Sequence, residues 1–180
     1  MAAIVDADID FKKAGASTGT TPVAGVDPSI GNRVSTVVMP STINQLFDQV
    51  SAAENEATHT DYRVVYFHNK NTANAAQNVR IWMDGGDPAG GATVTLAVDS
   101  TAASAYTGTN AAQAVSATNE TTGSQTSLTY SAAIAEGSAI NLGTVNSGFV
   151  KAFWIKRVVN NVAAINETLT LRYKLETAAA

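Results

Sequence analysis

The sequence predicts an all-β fold, a β-sandwich of about seven or eight antiparallel strands. Short runs rich in β-branched and aromatic residues follow one another between residues 33 and 176 of the 180-residue chain. Turn-forming residues separate these runs, and several runs alternate apolar with polar side chains, as a strand with one buried face does. Long helical segments do not alternate with the strands, so a parallel α/β sheet is not indicated.

Residues 1–32 are predicted to form an extended N-terminal arm outside the sandwich. Most of this segment, AGASTGTTPVAGVDPSIGN, is small, polar and broken by Gly and Pro. Such a segment cannot bury enough apolar area to offset its conformational entropy. Its large apolar residues lie near the start, so Ile9 and Phe11 are candidate anchors on a neighbouring subunit. The alternative is that the segment is only a flexible tail.

RVSTVVM at 33–39 predicts the first strand, which Pro40 ends. The next segment predicts a short helix near 43–50, with its apolar face over one open end of a sheet. Four apolar residues there have the i, i+3, i+4, i+7 spacing of a helix face: Ile43, Leu46, Phe47 and Val50.

From residue 61 the pattern is that of strands. DYRVVYFHN carries large apolar groups on both faces, which predicts a central strand at 61–69 that is covered on both sides. Further strands are predicted at 77–84, 93–99, 126–131, 138–143, 148–159 and 167–176. The weakly patterned segment 100–125 has room for one more short strand, at 113–118. The sandwich domain therefore spans residues 33–177, and residues 178–180 are a short tail.

The polar run 69–76, between two strong strands, contains Asn69, Asn71 and Asn74. Asparagine tolerates left-handed backbone angles and bonds its own backbone in turns. We therefore interpret this run as a connection between strands, with His68 packed at the end of the preceding strand. The asparagines are expected to serve turn geometry and to tolerate Asp or Gly better than Val.

The sequence contains few residues and no motif that would support catalysis. There is no cysteine, and the two histidines, His59 and His68, lack a metal-binding spacing. No nucleophile elbow, phosphate-binding loop or zinc-protease motif is present. We therefore expect no enzyme activity, no catalytic residue, no metal site and no cofactor.

The charge distribution argues against nucleic acid as a partner, and the lengths of the apolar stretches argue against a membrane. The net charge is −4, and there is no Lys or Arg between Ile81 and Val150. Phosphate binding needs clustered Lys and Arg, and no apolar stretch is long enough to span a bilayer. Only 14% of residues are charged, against about a quarter in an average domain. A surface so poor in charge favours burial in an assembly, as a homo-oligomer or bound to a lattice.

Two tryptophans receive different predictions. Trp154, in the middle of the strand at 148–159, is expected to be a core anchor. Trp82 shares a strand face with Arg80, opposite Val79, Ile81 and Met83. Tryptophan beside arginine is the composition of an interface hot spot, so Trp82 and Arg80 are candidate partner contacts. For Trp82 itself, a core position is favoured over a partner contact.

Two stretches resemble a family of tailed-bacteriophage virion proteins. STINQLFDQVSAAENEATHTDYRVVYFHNKNTANAAQNVRIWMD is similar to that family's LFD-V-AE helix, YR-x-x-Y-x-x-N strand and following Asn/Thr turn and strand. INLGTVNSGFVKAFWIKRVV is similar to its LG-L-x-x-G…W-x-R-R element, and the two stretches fall within roughly residues 40–176. The second stretch also resembles immunoglobulin-like modules, in which a glycine-bounded turn leads into a penultimate strand that pairs with the last one. Four residues hold those places: Gly143, Gly148, Trp154 and Tyr173.

The resemblance implies a structural virion protein with an immunoglobulin-like sandwich and no active site. The favoured role is a capsid decoration, or cement, protein that binds across subunits of the major capsid protein and stabilises the head. It would be made in the host bacterial cytoplasm and reside in the virion. The alternatives are a tail, neck or baseplate component, or a carbohydrate-binding sandwich module with an exposed aromatic platform.

Overall fold

The computed structural model describes residues 3–15, 31, 33–39, 46–47, 50, 52–84, 92–107, 114–115, 122–159 and 169–177. Within these residues the chain forms nine β-strands in two antiparallel sheets, so the predicted all-β sandwich is confirmed. The strands are β1 (Ile9–Gly15), β2 (Arg33–Val38), β3 (His59–Asn69), β4 (Ala76–Asp84), β5 (Ala92–Val98), β6 (Ser104–Ala105), β7 (Ile140–Val145), β8 (Phe149–Val159) and β9 (Thr170–Thr177). The helical segments are α1 (Ala52–Glu56) and single 3₁₀ turns at Asp6–Asp8, Ser124–Ser127 and Glu136–Ser138.

The large sheet has the strand order β2-β1-β3-β8-β5, and the short β6 also pairs with β8. Its two longest strands, β3 and β8, lie beside each other and have 11 residues each. Every residue from 61 to 69 is buried, which confirms the predicted central strand with cover on both faces. The small sheet has the order β7-β4-β9.

The apolar core lies in two layers because the large sheet is covered on both faces. The inter-sheet core lies between the two sheets and includes Phe67, Met83, Leu96, Phe153 and Ile155. The outer core lies on the far face of the large sheet, where alternation along β3 and β8 directs Val64, Tyr66, Ala152 and Trp154. Side chains of the segment after β5 cover the outer core: Tyr106, Ala114, Val115, Leu128 and Tyr130.

Backbone hydrogen bonds join the two sheets at one side of the sandwich. Residue Ser131 exchanges two bonds of 2.9 Å with Leu96 of the large sheet, and Met83 of the small sheet donates to Ala133 at 2.7 Å. At the small sheet's other edge, the Ile4 amide donates to Thr177 Oγ1 at 3.2 Å, and the Tyr173 hydroxyl donates to Asp6 at 2.7 Å. The pairing of Ser131 with Leu96 covers part of the β5 edge of the large sheet, which therefore offers fewer unpaired backbone groups to other chains.

The predicted N-terminal arm is wrong for residues 9–15. These residues form β1, which pairs with β2 on one side and with β3 on the other. Phe11 lies in the inter-sheet core, with its ring centroid 6.0 Å from that of Phe67, 6.1 Å from Phe153 and 5.9 Å from Tyr173. Residues 16–30 of the predicted arm and the tail 178–180 lie outside the described residues.

Gly31, at the end of the predicted arm, is also part of the domain. It is buried against Trp154, and its φ of +121° is a conformation that side chains rarely adopt. A Cβ at this position would lie 3.1 Å from the Val115 carbonyl oxygen and 3.4 Å from the indole ring. Only glycine therefore allows the backbone to approach Trp154 this closely.

Three other local predictions are wrong. Leu46 and Phe47 lie in a bend rather than in a helix, and the only α-helix among the described residues is α1; residues 43–45 and 48–49 lie outside them. The predicted strand 126–131 is a 3₁₀ turn followed by a single bridge at Ser131. Of 113–118, only 114–115 are described, and neither residue is in a strand. The strands 33–39, 61–69, 77–84, 93–99, 138–143 and 148–159 are confirmed within about two residues. The strand 167–176 is confirmed as β9, which begins at Thr170; residues 167–168 lie outside the described residues.

The last two strands do not pair as the immunoglobulin-like resemblance implied. β8 lies in the large sheet between β3 and β5, whereas β9 pairs with β4 in the small sheet. Tyr173 of β9 packs against the inter-sheet core. Residues Gly143 and Gly148 adopt positive φ values of 76° and 71° at the turn before β8, as a glycine-bounded turn requires.

Candidate functional site

The asparagine-rich run after β3 is a structural junction. Asn69 is fully buried, and its Nδ2 donates to the carbonyl oxygens of Asn74 (2.9 Å), Val145 (3.0 Å) and Asn146 (3.3 Å). Asn71 Oδ1 accepts the amide of Asn74 at 2.7 Å. The run therefore ties the β3–β4 connection to the β7–β8 turn, as the interpretation of it as a strand connection expected.

Of the two properties expected of these asparagines, the left-handed backbone angle is not used, whereas the hydrogen bonds to the backbone of the turn are present. Among the described non-glycine residues, positive φ occurs only at Thr58 and Asn78. Asn69 and Asn71 act through side-chain hydrogen bonds to backbone groups, in the way that short polar side chains stabilise turns. Tolerance to Asp is therefore not expected at Asn69, because its amide group is the donor.

His68 is packed at the end of β3, as predicted. It is 6% exposed, and its ring centroid lies 4.5 Å from that of Tyr106. Its Nδ1 is buried and has no hydrogen-bond partner among the described residues. Burial, together with the positive charge of the nearby Lys12, lowers the pKa of His68 to about 4, while Asp10 acts in the opposite direction.

The second histidine belongs to a charged cluster at one end of the inter-sheet space. Asp61 is fully buried; Arg157 Nε donates to its Oδ2 at 2.7 Å, and His59 Nε2 lies 2.5 Å from its Oδ1. Phe47 covers the cluster, since the guanidinium carbons of Arg63 and Arg157 lie 5.4 and 4.6 Å from its ring centroid. Such cation–π contacts stabilise a covering aromatic ring. The cluster is shielded and internally paired, which is typical of a structural role.

A second buried carboxylate organises the outer core. Asp99 is 1% exposed, and its Oδ2 accepts Trp154 Nε1 at 2.7 Å and the Val115 amide at 2.8 Å. Lys151 Nζ donates to the Asp99 carbonyl oxygen at 2.7 Å, and burial lowers the pKa of this lysine. Trp154 itself is fully buried, so its predicted role as a core anchor is confirmed.

The outer surface of the small sheet carries the other predicted contact residues. We call this surface the Trp82 face; it comprises Arg80, Trp82 and Asp84 of β4, Arg172 and Lys174 of β9, and Glu136. Trp82 is half-buried, and the register places it directly opposite Arg172. The faces of β4 are as predicted, since Val79, Ile81 and Met83 are fully buried on the other side.

Ion pairs surround Trp82. Arg172 Nη2 lies 2.8 Å from Asp84 Oδ2. Glu136 Oε1 lies 2.6 Å from Lys174 Nζ and 3.5 Å from Arg80 Nη2. The hydrogen bond from Lys174 lowers the pKa of Glu136. These pairs are largely exposed, so each contributes little to stability.

Of the predicted contact residues, the structure brings Trp82 and Arg80 together and separates them from Ile9 and Phe11. The first two lie in β4, and Ile9 and Phe11 lie in β1. Trp82, Ile9 and Phe11 are all partly buried and pack against the inter-sheet core. In this conformation Ile9 and Phe11 do not present an anchor to a neighbouring subunit.

Sequence reasoning missed the two buried carboxylates. The sequence contained one signal for the first of them: His59 and Asp61 are two positions apart on a strand, so both side chains point to the same face. Asp61 and Arg157 are direct neighbours across β3 and β8, but no local pattern links residues so far apart in the chain. Asp99 ends an alternating strand, a position that does not distinguish a buried acid from a turn residue.

All 11 Lys and Arg residues lie within the described part of the chain, and only Lys70, Arg172 and Lys174 are exposed. Lys70 pairs with Asp10 at 3.0 Å, and the other two are paired on the Trp82 face. This arrangement lacks the clustered unpaired cations that a polyphosphate backbone requires.

None of the aromatic side chains, all of which the structure describes, is fully exposed. Each of the five Phe, five Tyr and two Trp is described, and each is buried or half-buried. A carbohydrate-binding platform needs exposed rings, so this alternative gains no support from the aromatic side chains.

Within the described ranges, no three His, Asp or Glu side chains lie in an arrangement that could hold a metal ion. No helix in those ranges is long and apolar enough to cross a membrane. Compared with known protein families, characterised proteins and solved structures, the chain shows no significant match.

Proposed function

We propose that this chain is a non-catalytic structural protein of a tailed-bacteriophage virion, and that it decorates the capsid by binding subunits of the major capsid protein. The resemblance of two stretches to virion proteins supports this proposal, together with a surface poor in charge. The observation on which it depends most is the Trp82 face. Its half-buried tryptophan, surrounded by arginines and exposed ion pairs, has the composition of an interface hot spot with a polar rim.

The size of this face favours a repeated contact over a solitary one. The three strands of the small sheet have 6, 9 and 8 residues and give a face of about 400 Å², from a rise of about 3.4 Å per residue and a strand spacing of about 4.8 Å. A stable pairwise interface buries about 800 Å² on each partner. A contact of half that size is weak alone, but it becomes effective when one copy contacts two subunits, because the second contact is intramolecular.

Capsids that lack the protein provide the test. Purified protein is added to them, and the bound copies are counted by gel densitometry after sedimentation. We expect Arg80→Glu and Arg172→Glu each to lower occupancy at least tenfold, because each introduces a like charge beside the acids of the face. The matched control is Lys70→Glu, which reverses an exposed, paired lysine on the large sheet.

Two outcomes would contradict the proposal. One is equal occupancy for all three variants and the parent protein, which would remove the Trp82 face as the contact. The other is equal survival of decorated and undecorated capsids on heating, which would remove the stabilising role. A count of a few dozen copies per particle instead of hundreds would favour the tail, neck or baseplate alternative.

A further inference from the structure

The surroundings of His68 connect it to the N-terminal strand. His68 lies opposite Asp10 across the β1–β3 pair, and its ring stacks on Tyr106. Across the β3–β8 pair its neighbour is Val150, which is apolar. The imidazole is therefore enclosed by β1, β8 and the segment that contains β6, and β1 is the element that brings charged groups to it.

The one carboxylate that β1 brings to His68 is already paired with two lysines, so it does not compensate the charge of a protonated imidazole. The two carboxylate oxygens of Asp10 already face cations: Oδ1 is 3.0 Å from Lys70 Nζ, and Oδ2 is 3.6 Å from Lys12 Nζ. Lys12 Nζ also lies 5.1 Å from the centroid of the Tyr106 ring. Tyr66, the neighbouring titratable side chain on the same face of β3, is buried and holds its proton, since burial raises its pKa. An imidazolium at His68 would be the third cation around one carboxylate.

We propose that His68 is an acid-sensitive latch for the N-terminal strand: protonation of its imidazole favours a state in which β1, together with its edge neighbour β2, has separated from β3 while β3, β8 and the small sheet stay folded. Separation of β1 from β3 relieves the charge. It removes Lys12 and Asp10 from the ring together and admits water to it. The released segment would expose Ile9 and Phe11, the residues whose apolar character suggested a partner contact.

Proton linkage sets the size and the pH range of the effect. In the closed state the pKa of His68 is about 4, and in an open, hydrated state it returns to the ordinary value of about 6.5. Between these values the open state binds more protons, so opening becomes more favourable as the pH falls from about 6.5 to about 4, and the effect is constant below that range. The difference of about 2.5 pK units corresponds to an increase of the opening constant by at most about 300-fold.

Hydrogen–deuterium exchange of the full chain between pH 7 and pH 4 tests the proposal. Opening constants are obtained by dividing measured rates by the intrinsic exchange rate at each pH. We expect the constant for the β1 amides to rise by about 100-fold or more over this range, while that for the β8 amides rises far less. His68→Phe keeps a ring against Tyr106 but cannot titrate, so its β1 opening constant should not change with pH in this window. The matched control is His59→Gln, which removes the other histidine and should behave like the parent protein.

Parallel pH profiles for His68→Phe and the parent protein would overturn the proposal, as would equal increases for β1 and β8, which indicate global unfolding. If His68→Phe does not fold, NMR titration of the histidine rings in the parent protein tests the proposal instead. A His68 ring that titrates near pH 4 together with a second set of β1 signals supports the latch. A ring that titrates near pH 6.5 while the β1 signals stay unchanged excludes it.

Discussion

We call the hydrogen-bonded run after β3 the asparagine junction. Replacement of Asn69 by aspartate tests whether this junction depends on the Nδ2 donor, because it changes little else. The two side chains have nearly the same shape, but the change puts an oxygen where Nδ2 donates to the carbonyls of Asn74, Val145 and Asn146. At least two buried carbonyl oxygens then lose their donor, and each such loss costs about 1–3 kcal/mol. We therefore expect Asn69→Asp to lower the free energy of unfolding by about 2–6 kcal/mol at pH 7, measured by urea denaturation.

The pH dependence of this variant gives a second signature. Burial raises the pKa of a carboxyl group above its unfolded value of about 3.9. The penalty is therefore fully present above the folded pKa and shrinks as the pH falls below it, because the protonated acid can donate one hydrogen bond. The control is Asn141→Asp, since Asn141 uses only its Oδ1, which accepts the Gly143 amide at 2.8 Å. If Asn69→Asp unfolds within 1 kcal/mol of the parent protein at pH 7, the junction does not depend on the amide donor.

Three further substitutions test the buried contacts. Trp154→Ala removes a fully buried indole and a donor to Asp99, so it should cost about 3–5 kcal/mol; a thermal midpoint within a degree or two of the parent protein would contradict the core role. Asp61→Asn leaves Arg157 without its anion and should cost about 3 kcal/mol, measured by urea denaturation; an unchanged midpoint would show that water screens the pair. Phe11→Ala should cost about 3–5 kcal/mol because its ring contacts three other rings; a loss below 1 kcal/mol in the same assay would favour the arm interpretation of β1.

Alternation along the chain predicted the faces of the strands well. In β4 the buried set Val79, Ile81 and Met83 and the outward pair Arg80 and Trp82 follow from the period of two alone. The same period does not say which strand pairs with which. The immunoglobulin-like resemblance implied that β9 lies beside β8, whereas it pairs with β4.

The predictions that were wrong or missing share one physical cause: they depend on contacts between residues that are far apart in the chain. β1 contains two adjacent lysines and precedes a Gly-rich segment, so its local composition resembles an arm, and only its pairing with β2 and β3 makes it a strand. Asp61 and Arg157 meet because β3 and β8 are adjacent, and Asp99 meets Trp154 because β5 lies beside β8. The Trp82 face was partly predictable, since Arg80 and Trp82 share a strand face, but Arg172 and Lys174 join it only through the β4–β9 register.

The unequal exposure of the lysines has a practical consequence for chemical labelling. Lys12, Lys13 and Lys151 are buried, Lys156 is half-buried, and Lys70 and Lys174 are exposed. Burial lowers the pKa of Lys13 and Lys151, which favours the neutral amine that reacts with electrophiles, but it also keeps the reagent away. An amine-reactive dye on the native protein is therefore expected to attach at Lys70 and Lys174 first. A fluorophore at Lys174 would sit on the Trp82 face, and one at Lys70 would sit beside the asparagine junction.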